Sequence, residues 1–290
     1  AILTRLFPEA ELVRTRDTAW ITPGFGKIIY DVGRVYNAEA CIFDHHQRTV
    51  PTREDDQPYS SFGLIWKHYG HDYLRVLDVP EEHVDAIHAS VDQSFVLPND
   101  QMDNGILSPS VTGSLTPLTI SVLLESLKPD FDNRGPDADD KAFAKALPIA
   151  AAFIEASIAK KAAKRRAETI VATAIADAGS SRILELPMGM PFRSAIEAAG
   201  ADHLLFVINP RDGDWSVGGI RISGDGFDLR ADLPAVWAGL TDEALEQACG
   251  VRGAKFCHNG LFIAIADSRD AALKMAELAV EEAERTLSAA

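Results

Sequence analysis

The chain has 290 residues, 47% hydrophobic and 24% charged, the make-up of a globular protein with room for one large domain or two ordinary ones. A net charge of −15 excludes a dedicated duplex-DNA binder with a basic stripe; it leaves phosphate chemistry open, because bound divalent ions bring positive charge to the place a phosphate occupies. No apolar run looks long enough to span a bilayer, no basic-then-apolar leader is visible, and three scattered cysteines, Cys41, Cys249 and Cys257, fit a reduced cytoplasm, so a cytoplasmic protein without a membrane partner is expected.

Residues 1–7 carry apolar side chains at 2, 3 and 6 ahead of Pro8 and read as the last turns of a helix. Residues 11–16 read as a short strand, followed by a loop around Pro23, Gly24 and Gly26. Residues 27–32 and 41–43 are apolar runs that read as strands. The link between them is too short for a crossover helix, so the part around Val35 and Tyr36 is expected to pair locally with the second strand. Cys41, on the face opposite Ile42, reads as a buried apolar residue.

Acids stand where these strands end. Asp31 is followed closely by Gly33, and Asp44-His45-His46-Gln47 follows Phe43. Open α/β sheets bind ligands beyond the carboxyl ends of their strands, so a carboxylate with two imidazoles there reads as a metal site; the plain alternative is a polar turn with one solvated histidine. Adjacent residues of an extended chain face opposite ways. Asp44 and His46 can therefore share one centre, while His45 needs a bend or a second role. Residues 99–105 add a third acidic point with Asp100 and Asp103. The mixed carboxylate and imidazole set suits Mn²⁺ better than Mg²⁺, with Zn²⁺, Co²⁺ and Fe²⁺ open.

Residues 49–59 are polar, with Pro51 and Pro58, and form either a lid beside the site or a solvated loop. Ser60 or Ser61 caps a helix expected to end at Gly70, and its amino end suits a phosphate. Residues 81–91 read as a helix. His68 and His71 are expected at the solvated surface, and His83 and His88 at the surface of their helix or packed at its edge. Residues 116–127 read as an apolar helix, 130–140 as a linker, and 140–178 as a long helix interrupted or kinked near Pro148. Lys160, Lys161, Lys164, Arg165 and Arg166 lie along that helix as either a solvated face or a track for a nucleic-acid backbone. From Ser181 onward, strands are expected at 183–186, 204–208, 215–222 and 256–266, with helices at 193–199, 241–248 and 270–287. His258 reads as a substrate contact or as a structural hydrogen bond at a strand end. The fold class is α/β: a mostly parallel N-terminal sheet domain over 1–135, a connecting long helix over 136–180, and a C-terminal α+β domain over 181–290.

Several motifs in combination resemble the MYG1 family, which looks like a branch of the DHH phosphoesterase superfamily. They are Tyr30-Asp31-Val32-Gly33-Arg34-Val35-Tyr36, Phe43-Asp44-His45-His46-Gln47-Arg48, the run from Ser60 to Gly70, and Met102-Asp103-Asn104-Gly105-Ile106. Leu233-Pro234, Trp237-Ala238-Gly239-Leu240 and the run from Phe256 to Ile263 extend the likeness over nearly the whole chain. The resemblance implies an N-terminal domain of DHH type and a metal-dependent hydrolase with exonuclease activity on RNA or DNA; the family has also been labelled a protein hydrolase. On this reading Asp31, Asp44, His45, His46 and Asp100 or Asp103 hold Mn²⁺. Asp44, His45 and His46 act on the scissile bond, while Arg48, Ser60, Ser61, Lys160, Lys161, Lys164, Arg165 and His258 position a single-stranded nucleic acid. A homo-oligomer is compatible with it. The alternatives are a phosphohydrolase acting on pyrophosphate or a nucleotide, and a metal-stabilised binding protein without catalysis. Two departures stand out. Ala264-Ile265 replaces the family's Gly-Gly pair, and the His-x-Gly-x-Phe-His-x-Asp segment, which looks like the family's first metal motif, is absent from the 290 residues. The resemblance therefore predicts a native protein that extends upstream of Ala1.

Overall fold

Short apolar runs in the first half of the chain make short elements. The computed structural model describes residues 1–223 and 226–289, and it divides into two units, Ala1–Ala162 and Ala163–Ala290. The first unit opens with α1 (Ile2–Leu6) and α2 (Thr18–Ile21), the latter capped by the Asp17 carboxylate, which accepts the N–H of Ala19. Residues 11–16, expected as a strand, join no ladder; they are mostly exposed, and Arg14 reaches Asp140 at 2.5 Å instead. Three two-residue strands follow, β1 (Ile29–Tyr30), β2 (Tyr36–Asn37) and β3 (Ile42–Phe43), in the order β1-β3-β2. β1 runs parallel to β3, and β2 runs antiparallel to it. The local pairing expected around Tyr36 is present. The mostly parallel sheet is not, because a link this short can only fold back on β3. Gly33 is what lets it do so, since a Cβ there would collide with Cγ2 of Ile42.

α3 (Ser61–Val76) starts at Ser60, whose hydroxyl accepts the N–H of Phe62. Its buried face of Leu64, Ile65, Trp66, Tyr73 and Leu74 recurs at helical spacing and forms the centre of the first unit's core with Phe43, Ile87 and Val91. The helix does not stop at Gly70. That glycine admits the ring of His88 from α4 (Glu81–Val91), where an added Cβ would stand 2.7 Å from its Cδ2 and Nε2. Of the two places expected for it, His88 takes the packed helix edge, where it is half-buried. Its ring stacks on Trp66 at 4.9 Å and on His71 at 3.9 Å, and Nε2 lies 3.2 Å from the Trp66 carbonyl; burial lowers its pKa and keeps the imidazole neutral. His68 is exposed, as expected, with Nε2 2.6 Å from the Tyr36 hydroxyl and its ring 5.1 Å from that of Phe43.

α4 runs on through a π-helical segment, Asp92–Val96, into α5 (Leu97–Asp103). Part of the expected helix at 116–127 is a 3₁₀ segment, Pro109–Leu118, because Pro117 and Gly113 break α-helical pairing; only α6 (Ile120–Glu125) is regular. α7 (Ala138–Ala178) is one helix that runs on through Pro148. It buries Ile154, Ile158 and Ala162 in the core of the first unit, and Val171 in the second. Among the described residues it is the one helix long and apolar enough to cross a membrane, with an 18-residue window of mean hydropathy 1.5, 11% of it buried. Lys145 and Glu155 interrupt its apolar residues, so no unbroken run is visible in the sequence.

In the second unit, β4 (Ile183–Glu185), α8 (Arg193–Ala198), β5 (Phe206–Arg211), β6 (Asp214–Gly219), α9 (Asp242–Cys249), β7 (Ala254–Cys257), β8 (Ile263–Ala266) and α10 (Arg269–Ala289) follow in order. The sheet is ordered β4-β5-β6-β8-β7, with β4 parallel to β5 and the other pairings antiparallel. The single strand expected over 256–266 is a hairpin, turning at His258 and Leu261. α10 packs Ala272, Met275, Ala276 and Ala279 on the sheet against Phe206, Val217 and Ala264. The fold as a whole is mixed α/β with two mixed sheets.

Replacing Gly70 with alanine should overpack the α3–α4 contact and cost about 1–3 kcal/mol. Urea denaturation checks this, and an unchanged midpoint would mean that the His88 ring can move aside freely.

Candidate metal centre

The centre is built on the two strand ends. Asp31 closes β1 in a left-handed conformation at φ 64°, and Arg34 repeats it at φ 57°. A non-glycine residue in that region is held at a cost of roughly 1–2 kcal/mol, so the turn from Asp31 to Arg34 is paid for by its surroundings. The compensation is Asp44. Its carboxylate is fully buried at the end of β3; Oδ2 accepts the Arg34 N–H at 2.5 Å, and Oδ1 accepts both the His46 N–H at 3.0 Å and the His46 ring Nδ1 at 2.7 Å. Burial alone would raise this carboxyl's pKa, but the His46 and Arg34 N–H donors outweigh it and hold the group below the ordinary aspartate value.

His45 and His46 converge rather than alternate. The His46-containing turn, closed by Gln47 N–H to the His45 carbonyl at 2.8 Å, supplies the bend that an extended chain lacks. The two Nε2 atoms come to 3.2 Å and the ring centroids to 4.1 Å. Gln47 fixes the turn from outside: its Oε1 accepts the Tyr36 N–H at 2.8 Å, and its amide donates to the Thr49 carbonyl at 2.7 Å. One ligand atom each from Asp31, His45 and His46 lie within 4.8 Å of one another. Asp103 stands nearby, its Oδ2 3.4 Å from His45 Nδ1, yet that nitrogen is buried without a hydrogen-bond partner. With His46 Nδ1–H given to Asp44, its Nε2 presents a lone pair to His45. Facing imidazole nitrogens, a partnerless buried nitrogen and two exposed carboxylates form a donor set suited to a divalent ion. Asp44, by contrast, has both oxygens committed to donors and stands as the group that orients His46.

Asp100 lies elsewhere. Fully buried in α5, it accepts the Ser60 hydroxyl at 2.6 Å, the Gly63 N–H at 3.1 Å and Arg53 Nη2 at 2.7 Å. Burial raises its pKa, and the Ser60 and Arg53 donors oppose that rise. The α3 N-terminus expected to take a phosphate is thus filled by the chain's own carboxylate, with Ser60 and Ser61 both buried. Gly63 is required for this, because any Cβ would overlap Asp100. Arg53 also grips Asp92 through Nε at 3.0 Å and Nη2 at 2.9 Å, and lies over the Tyr59 ring at 4.1 Å. The segment read as a lid or solvated loop is therefore pinned. Arg53 and Gln47 were the residues missed; Arg53 sits beside Glu54, Asp55 and Asp56, which gave it the look of a solvated charge.

The remaining candidates are scattered. Arg48 is exposed. On α7, Lys160, Lys164 and Arg166 are exposed, Lys161 donates to the Ser90 hydroxyl at 2.8 Å, and Arg165 pairs with Glu168 at 3.0 Å. His258 Nδ1 accepts the Gly260 N–H at 2.9 Å and its ring packs on Phe262 at 4.2 Å, which is the structural role of a hairpin turn. Cys41 is half-buried at φ 52°, and all three cysteines are free.

Residues 1–280 match the sequence profile of MYG1_exonuc, described as "Uncharacterised protein family (UPF0160)". The chain is 33% identical to the MYG1 exonuclease of Rattus norvegicus over 94% of its own length and 78% of that protein's. It is 32% identical to the MYG1 exonuclease of Homo sapiens, covering 94% and 80%, and 28% identical to the MYG1 protein of Dictyostelium discoideum, covering 98% and 93%. No solved structure matches it.

Substituting Arg53 with alanine would strand Asp100 inside the protein and should cost about 3–5 kcal/mol of stability. Denaturant unfolding of the variant measures this, and a loss under about 1 kcal/mol would put the pair in the class of exposed ion pairs.

Proposed function

The chain belongs to the MYG1 family, and on that premise we propose that it is a metal-dependent phosphodiesterase, an exonuclease acting on single-stranded RNA or DNA, whose ion is held by Asp31, His45 and His46, with Asp103 facing the other ring nitrogen of His45. The observation that carries this is the convergence of Asp31, His45 and His46 on one point, with His45 Nδ1 buried and unpartnered beside Asp103. The parallel pairing of β1 with β3, which brings Asp31 and the Asp44 motif to the same end of the sheet, supports a DHH-type arrangement.

The mixed imidazole and carboxylate donors favour Mn²⁺, with Mg²⁺, Co²⁺ and Zn²⁺ as lesser candidates. Bound there, the ion would lower the pKa of a water towards neutrality and offset charge on a phosphoryl oxygen. The protein's part is orientation. Asp44 holds the Nδ1–H of His46, so that its Nε2 points towards the centre, and the Asp31–Arg34 turn is tied to the same carboxylate. Arg48, exposed just beyond the motif, is assigned to the substrate phosphate. A nucleic-acid backbone would run along the exposed cations of α7, Lys160, Lys164 and Arg166, since Lys161 and Arg165 already have partners.

His45→Ala should abolish Mn²⁺-dependent cleavage of an end-labelled oligonucleotide, and Asp44→Asn should weaken Mn²⁺ binding roughly 10- to 100-fold by freeing the His46 ring. Product analysis on a gel reads the cleavage and titration calorimetry the Mn²⁺ affinity of both variants; wild-type Mn²⁺ affinity in His45→Ala sinks the assignment of the centre. Neutralising Lys160 and Lys164 should reduce the slope of log affinity against log salt by about 0.7 per lost phosphate contact. Were the slope unchanged, the helix would be a solvated face.

A further inference from the structure

α3 meets the frame of the metal centre at two points along its length. At its amino end, the Ser60 hydroxyl and the Gly63 N–H hold Asp100 of α5, the helix that carries Asp103 to within 3.4 Å of His45 Nδ1. The second point is His68, eight residues and about 12 Å along the axis from Ser60. Its Nε2 lies 2.6 Å from the Tyr36 hydroxyl, and the two ring centroids are 5.9 Å apart. His68 belongs neither to the buried core of the first unit nor to the candidate ligand set.

Tyr36 carries this contact to the centre. It lies in β2, an edge strand of two residues whose partner is β3. A ladder that short has little stability of its own. Asn37, the other residue of β2, accepts the Ala40 N–H at 3.1 Å, inside the same loop. Among the described residues it is thus Tyr36 that hydrogen-bonds β2 to a helix. Its backbone N–H donates to Gln47 Oε1 at 2.8 Å. The Gln47 N–H donates in turn to the His45 carbonyl at 2.8 Å, closing the turn that brings His45 and His46 together. An unbroken path of hydrogen bonds therefore runs from α3 through β2 to the ligand turn.

The first bond of that path suits a permanent tie. Desolvation and the Lys67 ammonium lower the pKa of His68, and burial raises that of Tyr36, so the imidazole is neutral and the phenol protonated at neutral pH. With the imidazole proton on Nδ1, Nε2 accepts the phenolic O–H; with it on Nε2 the direction reverses and the bond remains. Phe43 backs the pair, its ring 5.1 Å from that of His68 and 6.4 Å from that of Tyr36.

A ligand turn that is not held must be ordered when an ion binds, and that ordering weakens affinity although every ligand is still present. We propose that His68 and Tyr36 are positioning residues for the metal centre: through Gln47 they hold the His45–His46 turn to α3, the same helix that holds α5 and Asp103, so that one rigid element gauges both sides of the site. This rests on the metal-binding reading of Asp31, His45 and His46 and adds what keeps the two imidazoles in register.

The test uses the full chain with Tyr36→Phe, which keeps the ring and removes only the hydroxyl, and with His68→Ala, His68→Gln, Gln47→Ala and the double variant His68→Ala with Gln47→Ala. Titration calorimetry reads Mn²⁺ affinity, and NMR of the metal-free protein reads hydrogen exchange at the Tyr36 amide. Tyr36→Phe and His68→Ala should each weaken Mn²⁺ binding roughly 2- to 10-fold, the loss of one neutral hydrogen bond, and should speed exchange of the Tyr36 amide. His68→Gln, whose side-chain amide can meet the same hydroxyl, should restore most of the affinity. In the Gln47→Ala background, His68→Ala should weaken binding no further, because the tie then has nothing to hold. If Tyr36→Phe and His68→Ala bind Mn²⁺ as the wild type does, or if His68→Ala has the same effect with and without Gln47, the positioning role is overturned and the assignment of the centre stands. If the wild type takes up none of Mn²⁺, Mg²⁺, Co²⁺ and Zn²⁺, the metal reading falls and takes the positioning role with it.

Discussion

A carboxylate removed from water must be given donors, and Asp44 is the place where the first unit meets that demand. Desolvating an ionised carboxyl without partners is prohibitively costly, so the chain has to bring N–H groups to it. They come from two directions, the backbone of Arg34 on one side and the backbone and ring of His46 on the other. Meeting both at once forces Asp31 and Arg34 into left-handed backbone and turns the chain at His46. The juxtaposition of Asp31, His45 and His46 follows from satisfying one buried charge. The convergence of these three side chains and the local strain thus have a common cause.

Asp100 applies the same rule to a different end. It neutralises the amino end of α3 and the guanidinium of Arg53 together, and Gly63 gives up its side chain to make room. A charge inside the protein is tolerated here because three kinds of donor meet it: a hydroxyl, a backbone N–H and a cation. The two aspartates therefore divide the work. Asp44 shapes the centre, while Asp100 locks the segment after it and the helices beneath it. Of the two aspartates on α5, it is Asp103, at its exposed end, that lies near the imidazoles, across from Asp31.

Much of this was legible in the sequence. The strand ends at Asp31 and Asp44, the close approach at Gly33, the local pairing of Tyr36, the Ser60 cap and the helices of the second unit follow from periodicity and capping alone. What was not legible depended on partners distant in the chain. Gly70 looks like a helix stop until His88 from α4 is seen to need its space. Arg53 looks solvated until Asp92 and Asp100, some forty residues on, are folded against it. The hairpin at 256–266 was legible too, since Asn259-Gly260 between two apolar runs is a hairpin-turn signal, although the positive-φ residue of the turn is Leu261. His45 joins His46 through the bend that the strand alternation required of it, since alternation holds only while the chain stays extended.

The π-helical segment Asp92–Val96 sets a rotational phase. A single turn closed by i to i+5 bonds inserts one extra residue into an otherwise continuous helix from α4 to α5, which turns everything beyond it by about 100° relative to a plain α-helix. That phase is what presents Asp100 to the start of α3 and brings Asp103 to His45. A one-residue deletion within 92–96 would thus act like a key turned a quarter too far: every side chain of α5 would survive, and both aspartates would miss their marks.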